Sequence, residues 1–234
     1  MLFRSQLGPR EVFIYLAGAT SLAVFLAIML HAEAQPERVK KPSPRDRILP
    51  RPDSLDTLIF WMGAGIDGVF TVSISLMFAQ YLTVDMAILF GGSVLAARRV
   101  SEMLVAPFAG VIADRLGIRF PLLLCIVMTI TGFSMIGAGL LLPGSALLVL
   151  ARGALGTLFA AAVAHIYSEA KIKALARNQT WRDIGAAFGP LATGVGLSIM
   201  SPQIMHLLVA LAFAAGLASF VFSPGWKLLV RQSV

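Results

Sequence analysis

Four ionisable residues lie inside long apolar runs of this sequence, where a charge is costly and tends to mark a translocation pathway. They are Asp67, Arg98, Glu102 and Arg152. Arg98 and Glu102 are four positions apart, so on a helix they share one face and can pair. The pKa of a carboxylate such as Asp67 rises on burial and falls beside an arginine, so its protonation can respond to substrate or conformation. These residues predict solute or proton translocation, and a merely neutralised buried pair is the alternative for Glu102.

The local charge balance narrows the solute class. Arg98, Arg99 and Arg152 are matched by only two carboxylates, Asp67 and Glu102. An excess of positive charge within apolar surroundings favours an anionic or zwitterionic small molecule.

Other chemistry is sparse. His165 and Glu169, one turn apart, are candidates for a proton relay or for a polar cluster at headgroup level. Cys125 is the only cysteine, which excludes a disulfide within one copy. The sequence has no phosphate-binding loop, nucleophile elbow or HExxH pattern, so we expect no enzyme activity, no cofactor and no metal site.

The high hydrophobic content of the sequence indicates a protein that is surrounded partly by lipid. Of 234 residues, 58% are hydrophobic and 13% are charged, and the mean hydropathy is +0.84. Seven apolar runs are long enough to cross a bilayer, and backbone groups in lipid must be satisfied within a helix. The runs are at about 11–32, 58–80, 84–113, 120–142, 145–170, 180–200 and 203–223. We therefore predict an all-α membrane protein with about seven transmembrane helices.

The basic residues orient these helices. Alternate loops place fourteen cations on one side, against Arg4 and Arg10 on the other. The fourteen are Arg38, Lys40, Lys41, Arg45, Arg47, Arg51, Arg115, Arg119, Lys171, Lys173, Arg177, Arg182, Lys227 and Arg231. By the positive-inside rule the basic side, including the tail 224–234, is cytoplasmic. The net charge of +7 therefore reflects orientation in a bacterial inner membrane rather than nucleic-acid binding.

The amino-terminal region allows two readings. Arg4, Arg10, an apolar stretch and the pattern Ala32-Glu33-Ala34 are typical of a secretory signal peptide, whose removal would invert the topology. The apolar stretch is longer than a usual signal core, so we expect a retained helix in residues 1–32. Residues 33–57 form a proline-rich basic linker, and residues 58–223 form a block of six helices.

The loop between the third and fourth runs carries a motif. Gly110, Asp114, Arg115, Gly117 and Arg119 form G-x-x-x-D-R-x-G-x-R, which resembles a loop of the major facilitator superfamily of secondary transporters. Physically, Gly110 permits close approach of a helix, Gly117 permits a tight turn, and the arginines stay at the headgroups. An ordinary basic membrane loop is the plain alternative.

Two further segments resemble patterns of the same family, in the same order. Arg152-Gly153-Ala-Leu-Gly156 resembles its fourth-helix pattern. The second is a glycine-proline pattern that favours close helix packing, and it comprises Gly185, Gly189, Pro190 and Gly194.

The resemblance covers residues 57–223 and implies one six-helix half, built as a 3+3 repeat, of either the amino- or the carboxy-terminal type. It implies a cytoplasmic gate at Asp114, Arg115 and Arg119. It also implies a role for Arg152 in proton coupling or in an interhelical contact, and a purely structural contact is the alternative. The complementary half would be a separate chain, a second copy of this one, or an upstream portion. We expect secondary transport by alternating access with proton coupling. A non-transporting scaffold or assembly factor for a membrane complex is the alternative, and a truncated reading frame is a third.

Overall fold

The structure is a computed structural model that describes residues 51–231 and the isolated positions 18, 21, 22 and 25. The chain divides into two compact units, residues 1–48 and 49–234. The predicted first helix, its signal-peptide alternative and most of the predicted linker lie outside the described residues.

Residues 51–231 form seven helices and no strand, which confirms the all-α prediction for this part of the chain. The helices are α1 (Ser54–Ala79), α2 (Val84–Leu116), α3 (Arg119–Gly137), α4 (Leu141–Ile166), α5 (Lys171–Gly196), α6 (Pro202–Val221) and α7 (Pro224–Arg231).

Four of these helices, α1, α3, α4 and α6, are long and apolar enough to cross a membrane. α2 has 33 residues and would be about 50 Å long, but it carries Arg98, Arg99 and Glu102 near its middle. α5 has 26 residues and a polar first half. The predicted membrane character is therefore supported by the four apolar helices, whereas α2 and α5 are long helices of mixed polarity.

α1 starts earlier than the apolar run predicts. Asp53 caps it by accepting a hydrogen bond from the Asp56 amide at 2.8 Å, and the Asp56 carboxylate accepts one from the Asp53 amide at 3.1 Å. The helix therefore begins at Ser54, inside the region predicted as linker.

α5 also extends beyond its apolar run. It begins at Lys171 rather than near residue 180, because polar helical turns precede the apolar run. Residues Pro224–Arg231, predicted as part of a tail, form a helix whose Leu229 is buried. The Trp226 ring lies edge-on to the Phe220 ring, with centroids 5.8 Å apart.

Two helices organise the packing. α1 contacts α2, α5 and α6, and α4 contacts α2, α3 and α5. α3 also packs on α6, around the buried rings of Phe133 and Phe213, whose centroids are 6.0 Å apart. The core side chains thus lie between helices rather than along one face of the bundle.

The crossing of α1 and α5 depends on glycine. A Cβ at Gly185 would collide with the Phe60 carbonyl oxygen, and one at Gly189 would lie 2.7 Å from the Cα of Gly68. Gly185 and Gly189 therefore lie at a close helix contact, as their predicted packing role requires. A Cβ on Gly68 would lie 3.1 Å from Pro190.

Two other glycines of the predicted motifs do not pack closely. A Cβ on Gly110 or on Gly194 would meet no atom within 4 Å. Among residues 51–231, no neighbouring helix approaches Gly110 closely, and Gly194 is not part of the α1 contact. Both point to open space because they lie on the outward sides of α2 and α5.

Candidate functional site: a buried charge cluster

Five ionisable side chains from four helices meet inside the bundle. We call this group the charge cluster. Its members are Asp67 of α1, Arg98 and Glu102 of α2, Arg152 of α4 and Arg182 of α5.

Asp67 is the centre of the charge cluster. Its Oδ1 lies 3.3 Å from Nε of Arg152 and 3.4 Å from Nη1 of Arg98. Its Oδ2 accepts a hydrogen bond from Nη2 of Arg152 at 3.4 Å and lies 3.6 Å from Nε of Arg182. One carboxylate that is 11% exposed is therefore shared among three guanidinium groups.

An irregular stretch of α1 positions this carboxylate. Residues Gly63–Phe70 form π-helical turns between two α-helical segments. Nη1 of Arg98 donates to the Ile66 carbonyl oxygen at 3.1 Å and to the Thr71 hydroxyl at 3.0 Å. The Thr71 hydroxyl also donates a hydrogen bond to the Ile66 carbonyl oxygen at 3.0 Å, so Arg98 is joined to this stretch at two linked groups. Irregular turns of this kind occur frequently at functional sites.

Glu102 is the second shared carboxylate. Its Oε1 lies 3.7 Å from Nε of Arg98 and 3.7 Å from Nε of Arg152. Its Oε2 accepts a hydrogen bond from Nη1 of Arg99 at 2.9 Å. Arg99 itself is 68% exposed and contacts the charge cluster from its outer side, through Glu102. The predicted pairing of Arg98 with Glu102 is present, but Glu102 also joins α2 to α4.

The pairing inside the charge cluster is loose. Three arginines face two carboxylates, which leaves a net charge of +1 with all five groups ionised. Among residues 51–231, Glu102 Oε1, Arg98 Nε and Arg182 Nε are buried without a hydrogen-bond partner. Because the ion-pair contacts of these three atoms, at 3.6–3.7 Å, exceed hydrogen-bond length, a proton, an anionic group or a small shift of one helix can redistribute them.

The sequence predictions captured four of the five members and missed Arg182. Arg182 was counted among the cytoplasmic loop cations, but it reaches Asp67 from within α5. One signal was present: Arg182 precedes Gly185 by three positions and Gly189 by seven. On a helix those positions share the face that packs against α1.

The turn with the family-like motif lies apart from the charge cluster. Asp114 and Arg115 are exposed, and Gly117 adopts a φ of 78°, which favours glycine. The Arg119 guanidinium lies 4.8 Å from the Trp226 ring centroid. A small polar pocket beside this turn includes the side chain of His165.

A second polar cluster joins the start of α1 to α5. Asp56, fully buried, receives a hydrogen bond from Asn178 at 2.9 Å and lies 2.6 Å from Nε of Arg177. Asp53 lies 2.6 Å from Nη2 of Arg177 and accepts a hydrogen bond from the Tyr167 hydroxyl. Burial, followed by that hydrogen bond to Asp53, raises the pKa of the Tyr167 hydroxyl. The sequence predictions did not identify this cluster.

No protein-family model, curated protein or solved structure matches this chain. The roles of these residues therefore rest on their geometry and chemistry.

Proposed function

We propose that the helices α1–α6 form one half of a secondary transporter of the major facilitator type. It moves a small anionic or zwitterionic solute by alternating access with proton coupling. The observation that carries the proposal is the charge cluster, in which Asp67 is shared by arginines from three other helices. Ionisable groups at such depth in an apolar bundle mark pathways for ions or solutes.

The pattern of helix contacts supports a 3+3 repeat. In a 3+3 repeat, α1, α2 and α3 correspond to α4, α5 and α6. The contact of α1 with α5 then corresponds to that of α4 with α2, and the contact of α1 with α6 to that of α4 with α3. The contact of α1 with α2 corresponds to that of α4 with α5. All six of these pairs are in contact, and the contact of α3 with α6 corresponds to itself. Such internal repetition is typical of transporter folds.

The charge cluster suggests a coupling mechanism. Ionised Asp67 holds Arg98, Arg152 and Arg182 together and so holds α2, α4 and α5 against α1. Protonation of Asp67 removes the common partner of the three arginines, which then bind an anionic group of the solute. Loss of that proton restores the original pairing. Proton release and solute release are thereby linked through one carboxylate.

Orientation and partner follow from the same proposal. The Asp114–Arg119 turn and the amino-terminal end of α1 lie at the basic, cytoplasmic side of a bacterial inner membrane. Asp114, Arg115 and Arg119 contribute to the gate there. A central cavity requires a complementary six-helix unit, supplied by another chain or a second copy.

A scaffold for another membrane complex is the second candidate. It is favoured by the broad apolar surface of α2, where Met103, Leu104 and Phe108 are all more than half exposed. A scaffold would use the charge cluster only to hold its own helices together. Its charge cluster would then take no part in solute-dependent proton movement.

Proton coupling at Asp67 provides the test. Purified protein in proteoliposomes is exposed to candidate organic anions, and solute-driven proton uptake is followed with an internal pH dye. We expect Asp67→Asn to abolish this signal, because an amide cannot carry the proton. Asp85→Asn, at the exposed start of α2, is the matched control and should retain it. Proton uptake by Asp67→Asn at the wild-type rate would contradict the assignment.

A further inference from the structure

A buried histidine lies near the end of the bundle opposite the Asp114–Arg119 turn, which we call the outer end. His206 is in the second turn of α6, and the residue is 0% exposed. Gln203, three positions earlier, donates a hydrogen bond to the Gln80 side chain just after α1 at 2.8 Å, which places this part of α6 beside the outer end of α1. The charge cluster does not include this ring.

The His206 ring joins three helices. Its Nδ1 lies 2.7 Å from the carbonyl oxygen of Pro202, at the start of α6, and its Nε2 lies 3.4 Å from the hydroxyl oxygen of Ser73 on α1. The Phe133 ring of α3 packs against it, with centroids 5.8 Å apart. Because a carbonyl oxygen only accepts, the Pro202 contact requires a hydrogen on Nδ1. Nε2 is therefore the position left for a further proton.

Nε2 has only a weak partner. The Ser73 hydroxyl donates to the Val69 carbonyl oxygen at 2.7 Å, so its single hydrogen is not directed at the ring. The distance of 3.4 Å from Ser73 Oγ to Nε2 is also long for a hydrogen bond. A proton can therefore bind at Nε2 without displacing a strong contact of the ring.

The helices around the ring supply no opposite charge. α1 beyond Asp67 and α3 beyond Arg119 contain no Asp, Glu, Lys, Arg or His, and α6 contains no other. The buried thiol of Cys125 is the one further titratable side chain in those parts of the described chain. α7 carries Lys227 but packs against the opposite end of α6, near Phe220. A protonated ring in the packed bundle would thus be a buried charge without a partner, which is strongly unfavourable.

We propose that protonation of His206 from the outer side separates the outer ends of α1 and α6. The neutral ring fits between Ser73 and Phe133, whereas an imidazolium is stabilised only where the ring reaches water. A histidine in water takes up its proton near about pH 6.5. Acidity therefore favours the separated arrangement, and a pH above that value favours the packed one.

The position of His206 connects this separation with the charge cluster. Ser73 follows Asp67 by six positions, which is about 9 Å along a helix. An opening beside the histidine therefore leads from the outer end toward Asp67. The inference rests on the proposed function in that this opening gives the transport path its access to the outer side.

Distance measurements by electron paramagnetic resonance test the proposal. Spin labels are attached at Tyr81→Cys, just beyond α1, and at Ile204→Cys, in the first turn of α6, in a Cys125→Ser chain reconstituted in lipid bilayers. Both labelled positions are exposed. We expect the ratio of separated to packed molecules to rise at least about tenfold from about pH 8 to about pH 5. The same distance distribution at both pH values would overturn the proposal.

The variant His206→Gln isolates the ring, because glutamine keeps hydrogen-bonding groups but cannot take up the proton. We expect it to lose the pH dependence of the label distance. His165→Gln, beside the Asp114–Arg119 turn, is the matched control and should keep that dependence. Undiminished pH dependence in His206→Gln would place the titrating group elsewhere, for example at Asp67, and would overturn the proposal.

Nitrogen-15 NMR gives a second readout that does not depend on the folding of a His206 variant. The chain has three histidines, so in a His31→Gln and His165→Gln chain the remaining signals belong to His206. We expect Nε2 to become protonated with the same pH midpoint as the separation. A different midpoint, or no protonation down to about pH 5, would overturn the proposal. None of these measurements requires transport, so failure here with intact Asp67-dependent proton uptake would contradict the role of His206 alone.

Discussion

Asp67 is the residue through which the other members of the charge cluster act on one another. Removing an arginine leaves a buried carboxylate with fewer partners, and removing the carboxylate leaves buried arginines facing one another. Either change is costly because a buried charge depends on its partners. The energetic link between Asp67 and Arg152 can therefore be measured separately from transport.

We expect Arg152→Gln to lower the free energy of unfolding by about 3–5 kcal/mol, the usual result of removing one partner of a buried pair. Arg152 side-chain exposure is only 7%. Adding Asp67→Asn should reduce this loss, because the unpaired carboxylate is then neutral. Denaturant unfolding in detergent of the wild type, both single variants and the double variant gives the coupling energy. Strictly additive effects would show that the two side chains are not coupled.

For individual residues, sequence spacing predicts only the contacts between residues close together on one helix. The contact of Arg98 with Glu102 follows from a separation of four positions on one helix. The contact of Asp67 with Arg152 joins residues 85 positions apart and depends on how α1, α2 and α4 pack. The apolar run around Arg182 begins near residue 180, which predicts the side chain at a helix end and gives no sign of its contact with Asp67.

The helices position the charge cluster through glycines and through the irregular turns of α1. At Gly63 and Gly68 on α1, and at Gly185 and Gly189 on α5, the backbone of one helix lies directly against the backbone of the other. This approach brings Arg182 within reach of Asp67. The close crossing is therefore part of the site as well as of the fold.

Substitution on the two sides of α5 should separate these roles. We expect Gly185→Leu to lower the free energy of unfolding by at least about 3 kcal/mol, because its Cβ would collide with backbone atoms that cannot move aside. Gly194→Leu on the same helix is the control and should change stability by less than about 0.5 kcal/mol. Thermal unfolding in detergent measures both. Equal stability of the two variants would contradict the α1–α5 crossing.

The number and order of helices α1–α6 were predictable from apolar runs, because a bilayer-length run has few alternatives to a helix. Boundaries were less predictable, since polar turns at the start of α5 and the cap of α1 extend the helices past their apolar residues. The π-helical turns of α1 and the docked helix α7 depend on contacts with distant residues such as Arg98 and Phe220. Local sequence carries no direct signal for those contacts.

Over the whole molecule, α1 and α4 are the two helices that are central both to the charge cluster and to the packing of the other helices. Each of these two helices contacts at least three others, and each contributes one member of the closest pair at Asp67. A transporter half would expose the surface beside this pair to water from each side of the membrane in turn. A scaffold would leave that surface in one fixed environment.

Gly156 provides a probe of that surface, because it is exposed and a Cβ there would lie 3.5 Å from Nη1 of Arg152. The measurement is the reaction of Gly156→Cys, in a Cys125→Ser background, with a membrane-impermeant thiol reagent. It is made in right-side-out and in inverted vesicles. Arg115→Cys, at the exposed turn, identifies the cytoplasmic side. Leu124→Cys, exposed on α3, is the control for reagent that enters the lipid. We expect Gly156→Cys to react in both vesicle orientations, and Arg115→Cys to react only in inverted vesicles. Reaction of Gly156→Cys from a single side, or from neither, would contradict alternating access at the charge cluster.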